Sequence, residues 1–199
     1  MKFKTLLAAI VISLTFLSNV FAAGGFMQVA NVTKIQGKAF INKEKIIVGA
    51  EIAEGMELNI PKSGDYVEVK FQNGHLVRFT GAKVKVETLN PKNTLFHLIR
   101  GKIFSAIKPL TKDETFHVKT MRAAFAVRGT KFLIEETKNK SYLCVCEGVV
   151  ATKSAKGEVE VKKDEDLSLA TAKSELKATL AAKNLIKMTN AVFTEMGIQ

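Results

Sequence analysis

Ala123-Ala-Phe-Ala-Val-Arg-Gly-Thr-Lys-Phe-Leu-Ile-Glu135, with Leu143-Cys-Val-Cys-Glu-Gly-Val-Val150 close behind it, decides the fold. Phe125 and Val127, Phe132 and Ile134, then Leu143 and Val145 set an apolar side chain at every second position. That is the period of a strand with one face in an apolar interior. The same period extends outward through Met56, Leu58 and Ile60, through Val67, Val69 and Phe71, and through Val84 and Val86. Phe116 and Val118, then Val159 and Val161, continue it. Pro61-Lys-Ser-Gly64, Asn73-Gly74, Asn90-Pro91, Asn139 and Gly157 separate the runs as turns. The pattern predicts an all-β fold: a compact antiparallel sandwich or rolled sheet of many short strands, with a short solenoid as its variant.

The ends differ from this middle. Lys2 and Lys4, an apolar run from Leu6 to Leu17, and Val20-Phe21-Ala22 have the layout of a secretory signal peptide over residues 1–22. The run is shorter than the ~20 residues a membrane span needs, and no second long apolar run follows. Removing 22 of 199 residues leaves 177, enough for one well-cored domain, assigned to 23–163. Loss of Lys2 and Lys4 takes the formal net charge from +11 to +9. Export to the periplasm is expected, with secretion as second choice. After Lys163 the composition turns to Ala, Lys and Leu. Ala172, Leu176 and Leu180, then Leu185, Met188, Val192 and Met196, recur at helical spacing, so 164–199 is expected to be a helical segment, one helix or two with a break near Lys183-Asn184, while Leu167 and Leu169 can equally finish a last strand first. That segment either packs on the β domain or binds a partner.

The Asn73-Gly74 turn allows two registers. A two-residue loop sets Arg78 on the apolar face. A three-residue loop over Asn73, Gly74 and His75 pairs Phe71 with Val77, and sets Lys70 beside Arg78 on the wet side. A slip of one residue inverts every side chain, so face parity selects the three-residue loop, with a type I turn and a left-handed glycine.

Chemistry-bearing residues are sparse. Cys144 and Cys146 share one strand face, at the upper edge of disulfide reach. They are read as buried thiols, a labile redox pair or half of an intermolecular link. His75, His97 and His117 are scattered, without metal-ligand spacing, and are expected at surfaces or edges. No metal or cofactor is called for. Adjacent acids such as Glu135-Glu136 point to opposite faces of a strand and make no acid/base pair, so an enzyme is not expected. In Arg128-Gly129-Thr130, the glycine permits a bend or close backbone approach. Thr130 can bond the local backbone, and Arg128 can pair with Glu135 or Glu147. The motif is read foremost as a corner of the fold, and second as an anion or partner contact through Arg128.

These pieces resemble the FecR domain. Lys34-Ile-Gln-Gly37, Val48 to Leu58, Val67 to Phe79 with its central Asn73-Gly74, Arg128-Gly129-Thr130 with Phe132, and Glu147-Gly148-Val149 follow the family's order from about Ile35 to Val161. The resemblance implies a β-rich module of bacterial envelope proteins, often found in anti-sigma regulators that carry a transmembrane helix. A cleavable signal in place of that helix implies a free-standing exported member. Its expected role is a non-catalytic binding or scaffold module engaging an envelope protein, in signalling or envelope assembly. The alternative is a basic binder of cell-wall glycan or lipopolysaccharide. Nucleic acid is not expected as a partner, since no aromatic-studded basic sheet is present.

Overall fold

The computed structural model describes residues 29–198; the signal-peptide expectation for 1–22 lies outside them. In chain order the elements are β1 (Ala30–Gln36), β2 (Phe40–Ile41), β3 (Glu44–Lys45), β4 (Glu51–Ile52), β5 (Glu57–Asn59) and β6 (Tyr66–Phe71). Two long strands follow, β7 (Leu76–Leu89) and β8 (Asn93–Ala106). Then come β9 (Thr115–Lys119), β10 (Ala124–Val127), β11 (Lys131–Glu136), β12 (Ser141–Glu147), β13 (Val149–Ser154) and β14 (Gly157–Lys162). The chain ends with β15 (Glu165–Leu169), β16 (Thr179–Leu180) and one helix, α1 (Lys183–Glu195).

All sixteen strands join one hydrogen-bonded sheet, and that sheet is folded into two layers by its longest hairpin. The first half of β7, Leu76–Thr80, pairs with β6, whereas Lys83–Lys85 pairs with β5. In β8, Asn93–His97 pairs in parallel with β9, whereas Gly101–Ala106 pairs antiparallel with β11. Each long strand therefore starts in one layer and finishes in the other. Layer A is β5-β7-β8-β9-β10-β13-β14. Layer B is β1-β6-β7-β8-β11-β12-β15, with β16 outside β15. The β8–β9 pair makes the sheet mixed rather than purely antiparallel.

The crossing point is Gly81 and Ala82 facing Gly101, a two-against-one bulge between the pairs Thr80–Lys102 and Lys83–Arg100. Gly81 has φ +53° and Gly101 has φ +92°. A Cβ on Gly101 would lie 2.4 Å from the Gly81 carbonyl oxygen and 2.5 Å from Ala82 Cα. The bend thus needs backbone against backbone, which only glycine allows.

Phenylalanines bridge the layers. Phe79 of layer B meets Phe96 of layer A edge-on at 5.3 Å, and Phe71 stands 6.1 Å from Phe116. Phe125 and Phe132 are also fully enclosed in this core.

Three expectations need correction. The helical segment is confined to Lys183–Glu195. Glu165–Leu169 takes the strand alternative and pairs with β12, whereas Leu180, placed on the helix stripe, is exposed in β16. The alternation of Leu167 and Leu169 outweighs the four-residue spacing, because β12 offers a free edge to pair with. The hairpin has three loop residues, as face parity requires, but they are Gln72, Asn73 and Gly74. Lys70 pairs with Leu76 and Val69 with Val77. The Gly74 amide donates to the Phe71 carbonyl at 2.9 Å, and Gly74 takes φ +85°. This register sets Arg78 opposite Glu68, replacing an expected like-charge pair with an ion pair. Arg78 is also buried rather than wet. Among the described residues, no helix is long and apolar enough to cross a membrane.

Gly101→Ala is expected to lower unfolding free energy by about 3 kcal/mol or more, since strain and backbone overlap add. Gly49→Ala has a similar φ of +91° but open space around the added Cβ, so about 1 kcal/mol is expected. Urea unfolding of the two variants checks this; equal losses would show that the corner is not tightly packed.

Candidate functional site

The Arg128-Gly129-Thr130 motif forms a second corner of the same kind. β10 lies in layer A and β11 in layer B; β12 lies in layer B and β13 in layer A. The chain crosses down at Gly129 (φ +73°) and returns at Gly148 (φ +82°). A Cβ on Gly148 would meet Thr130 Cγ2 at 2.6 Å and the Gly129 carbonyl oxygen at 2.7 Å. A Cβ on Gly129 would meet Pro109 Cα at 2.8 Å. Thr130 is buried, but its hydroxyl has no hydrogen-bond partner among the described residues. The corner is tied instead by its carbonyl, which accepts from the Ile107 amide at 2.9 Å. Phe132 anchors the start of β11 in the core.

Arg128 projects from this corner into solvent and forms no ion pair among the described residues. The carboxylates expected for it are engaged elsewhere: Glu147 with Lys131 at 2.9 Å and Glu135 with Lys102 at 3.4 Å. Arg128 lines a groove of about 420 Å³ with Lys112, Glu114, His117 and Ala126. The segment between β8 and β9 forms its wall. The Glu114 carboxylate accepts from the Thr111 amide at 2.8 Å, and that bond holds its pKa below the ordinary range. Burial lowers the pKa of His117.

The groove opens onto the outer face of layer A. Phe96, Phe116, Phe125 and Val150 point into the core, so their neighbours point out. Register makes one outward row of Leu95, His117, Ala126, Ala151 and Glu160. The adjoining row carries Lys85, His97, Lys119, Ala124 and Lys153. Glu87 links two of these side chains, at 2.6 Å to Lys119 and 3.4 Å to His97. At the far end, Ile99 and Met121, 41% and 71% exposed, line a second hollow of about 500 Å³.

The outer face of layer B is covered. α1 lays Phe193 and Met196 over Phe104, Leu133, Cys144 and Cys146. Beside them the Arg78 guanidinium binds Glu68 at 2.6 Å and Glu195 of α1 at 2.9 Å, and stacks 4.2 Å above the Tyr66 ring. Both thiols are free and buried. The hydrogen bond with Cys144, and then burial, push the Cys146 thiol up. Burial and a 2.9 Å hydrogen bond to Asp166 raise Tyr142. The cysteines and His117 therefore lie on opposite outer faces of the sandwich, with the whole core between them. They cannot act as a nucleophile and its base.

Sequence reasoning placed all three histidines at surfaces or edges, but His75 is 4% exposed. Its ring packs near Phe71 and Phe116, its Nδ1 accepts from the Lys108 amide at 3.2 Å, and its Nε2 lies 3.1 Å from Asn73 Nδ2. Burial lowers its pKa. A second buried ion pair also went unread. Arg122 binds Glu136, which in turn accepts from Ser141, and the guanidinium donates to the Ala170 and Lys138 carbonyls at 2.9 and 2.8 Å. The one signal was the Glu135-Glu136 doublet, whose members alternation must send to opposite faces.

Residues 61–151 match the model of the FecR protein family, a narrower span than Ile35 to Val161, and one that takes in both glycine corners. A crystal structure of a candidate anti-sigma factor from Parabacteroides distasonis is similar, with TM-score 0.55 and 16% identity over 69% of this chain and 63% of that one. A second such structure from the same organism gives TM-score 0.45 and 12% identity over 75% and 63%. The matches span less than two thirds of the length of those two proteins, and the first likeness concerns the fold alone. No curated protein matches the chain.

Two outcomes are expected. Gly129→Val should abolish cooperative folding or cost about 4 kcal/mol, whereas Arg128→Ala should change stability by less than about 0.5 kcal/mol. Circular dichroism melts read both, and a stable Gly129→Val chain would remove the corner argument. His75 is neutral when folded, with its pKa below 6.5, so the unfolded chain takes up the proton first as pH falls. Stability should be full above pH 6.5 and decline below it, by at most about 1.4 kcal/mol per pH unit. His75→Gln should flatten that decline in urea midpoints between about pH 7 and 5; parallel profiles would sink the assignment.

Proposed function

The chain carries a FecR domain at residues 61–151, and from that premise we propose that it is a non-catalytic binding and scaffold module that engages a protein partner of the cell envelope in a regulatory, signalling-related role. One observation carries the reading: its two outer sheet faces are treated differently. The chain covers the face of layer B with its own helix, yet leaves on layer A a face of Leu95, Ile99, Ala126 and Ala151 among scattered charges. Half-buried apolar surface rimmed by charge is the character of a contact surface rather than of a solvated sheet. The fold of the Parabacteroides anti-sigma candidate supports the regulatory part of the reading.

The basic balance, 30 Lys and Arg against 19 Asp and Glu, favours a second reading: a binder of anionic wall glycan or lipopolysaccharide. A photo-crosslinking residue in place of Ala126, with Lys138 at the far hairpin as control, separates the two in intact cells. The protein reading expects a discrete protein adduct at position 126, absent at 138 and persisting at about 0.5 M salt, where the Debye length is only a few ångströms. A salt-sensitive glycan or lipid smear would favour the polyanion. No adduct at any exposed position would reject both.

A further inference from the structure

We propose that the bare face of layer A is a two-ended docking trough for an extended acidic segment of a partner protein: an apolar side chain enters the Ile99–Met121 hollow, and a carboxylate pairs with Arg128 and Lys112 at the other end. The proposal rests on the reading of the chain as a protein-binding module and names the surface and the chemistry of that binding.

The ends differ in kind. The Ile99–Met121 hollow is mostly hydrocarbon, and the exposed Met121 is a flexible, polarizable side chain able to adapt to an apolar guest. The other end, about 420 Å³, falls within the range of roughly 300–1,000 Å³ that holds ligand groups. Its cations, Arg128 and Lys112, make no ion pair among the described residues. Glu114, the acid beside them, is already engaged by the Thr111 amide. A free guanidinium beside an engaged acid favours one incoming carboxylate, held by two parallel N–H bonds.

Alanine paves the floor between the ends. Ala124 and Ala126 on β10 and Ala151 on β13 rise no higher than a methyl group, with Lys153 standing beside Ala124 at the margin. A peptide backbone can lie close there without displacing a side chain. Val127 lies level with Thr94 across Phe116, and Ile99 stands five residues along β8 from Thr94, about 17 Å at a strand's rise, so an extended guest spans the trough with its apolar and acidic residues about five positions apart.

The charge pattern selects a peptide over a polyanion. Lys119 is neutralised by Glu87 at 2.6 Å, and Glu158 and Glu160 stand on β14 opposite Lys153 and Ala151. A chain of evenly spaced phosphates or uronates laid across this face meets those acids, and like charges in register repel. One carboxylate at the Arg128 end meets none but Glu114.

The test uses the full chain and a terminally blocked peptide, Leu-Thr-Ala-Thr-Glu-Glu, with a twin in which both Glu are Gln. Amide-shift titration is expected to show millimolar binding, with shifts confined to residues 97–99 of β8, to 107–128 and to the neighbouring residues of β13. The Gln twin, and the charge reversals Arg128→Glu and Lys112→Glu, should each weaken binding by about fivefold or more at low salt. Ile99→Asp should weaken it independently. Equal binding of the Gln twin, shifts on layer B, or no binding of the peptide while lipopolysaccharide micelles bind would each overturn the trough. A protein adduct at position 126 together with a silent peptide titration would overturn the trough alone and leave the protein-binding reading standing.

Discussion

Everything in this molecule hangs on backbone touching backbone at two corners. A sheet of this many strands cannot stay flat, because strands twist and their inner faces must find a partner layer. Here the partner layer is made by the same strands further along. Gly81 and Gly101 let the β7–β8 hairpin cross from one layer to the other. Gly129 and Gly148 let the β10–β11 and β12–β13 pair do the same. At each corner an added methyl would overlap main-chain atoms, so the constraint is steric and local, and its effect is global. It turns two long hairpins into both walls of one core. β9 then enters layer A in parallel with β8, because layer B fills its side of β8 with β11.

The two outer faces follow different rules as a result. Layer B carries Arg78, Glu68 and two thiols outward, and a buried charge left without its partner costs about 3–5 kcal/mol. Glu195 and the apolar side of α1 enclose that group. α1 has little stability of its own. Its first residue follows Ala182, which provides no side-chain cap, and its first turn holds no acid. A helix of 13 residues is marginal alone, so docking and folding of α1 are one event. Layer A needs no cover, since its outward row of alanine, lysine and histidine hides no polar group that water must be kept from.

Alternation made the strands and the sandwich legible, because burying one face of a strand is a demand that every second residue records. It said less where both faces are buried. Leu143-Cys-Val-Cys146 is apolar throughout, and only the position of α1 shows that the cysteines face a second, smaller core. Parity fixed which face each hairpin residue takes but not the register, since a shift of two residues preserves parity. That shift separates a repelling Lys70–Arg78 pair from an attracting Glu68–Arg78 pair. Arg128 was visible as an oddity in an apolar run. The groove around it was not: His117 and Ala126 meet across the β9–β10 hairpin, but the wall that carries Lys112 is set beside them by the crossover into the parallel β8–β9 pair, which no local pattern announces.

The groove is therefore a property of the corner rather than of its own contacts. Residues 107–114 form its wall, braced internally by the Thr111 amide on Glu114 and pinned at two points: the Ile107 amide on the Thr130 carbonyl, and Pro109 against Gly129. The His75 ring gives a further anchor, accepting from the Lys108 amide while neutral. The same glycine that turns the chain at position 129 thus sets where Arg128 leaves the surface and how far the wall stands from it. A fold-defining corner and the proposed binding contact are in this case neighbouring atoms of one motif. Arg128 has its place without a carboxylate of its own because Val127 is paired with Phe116 and Val150 on one side and Gly129 packs against Pro109 on the other.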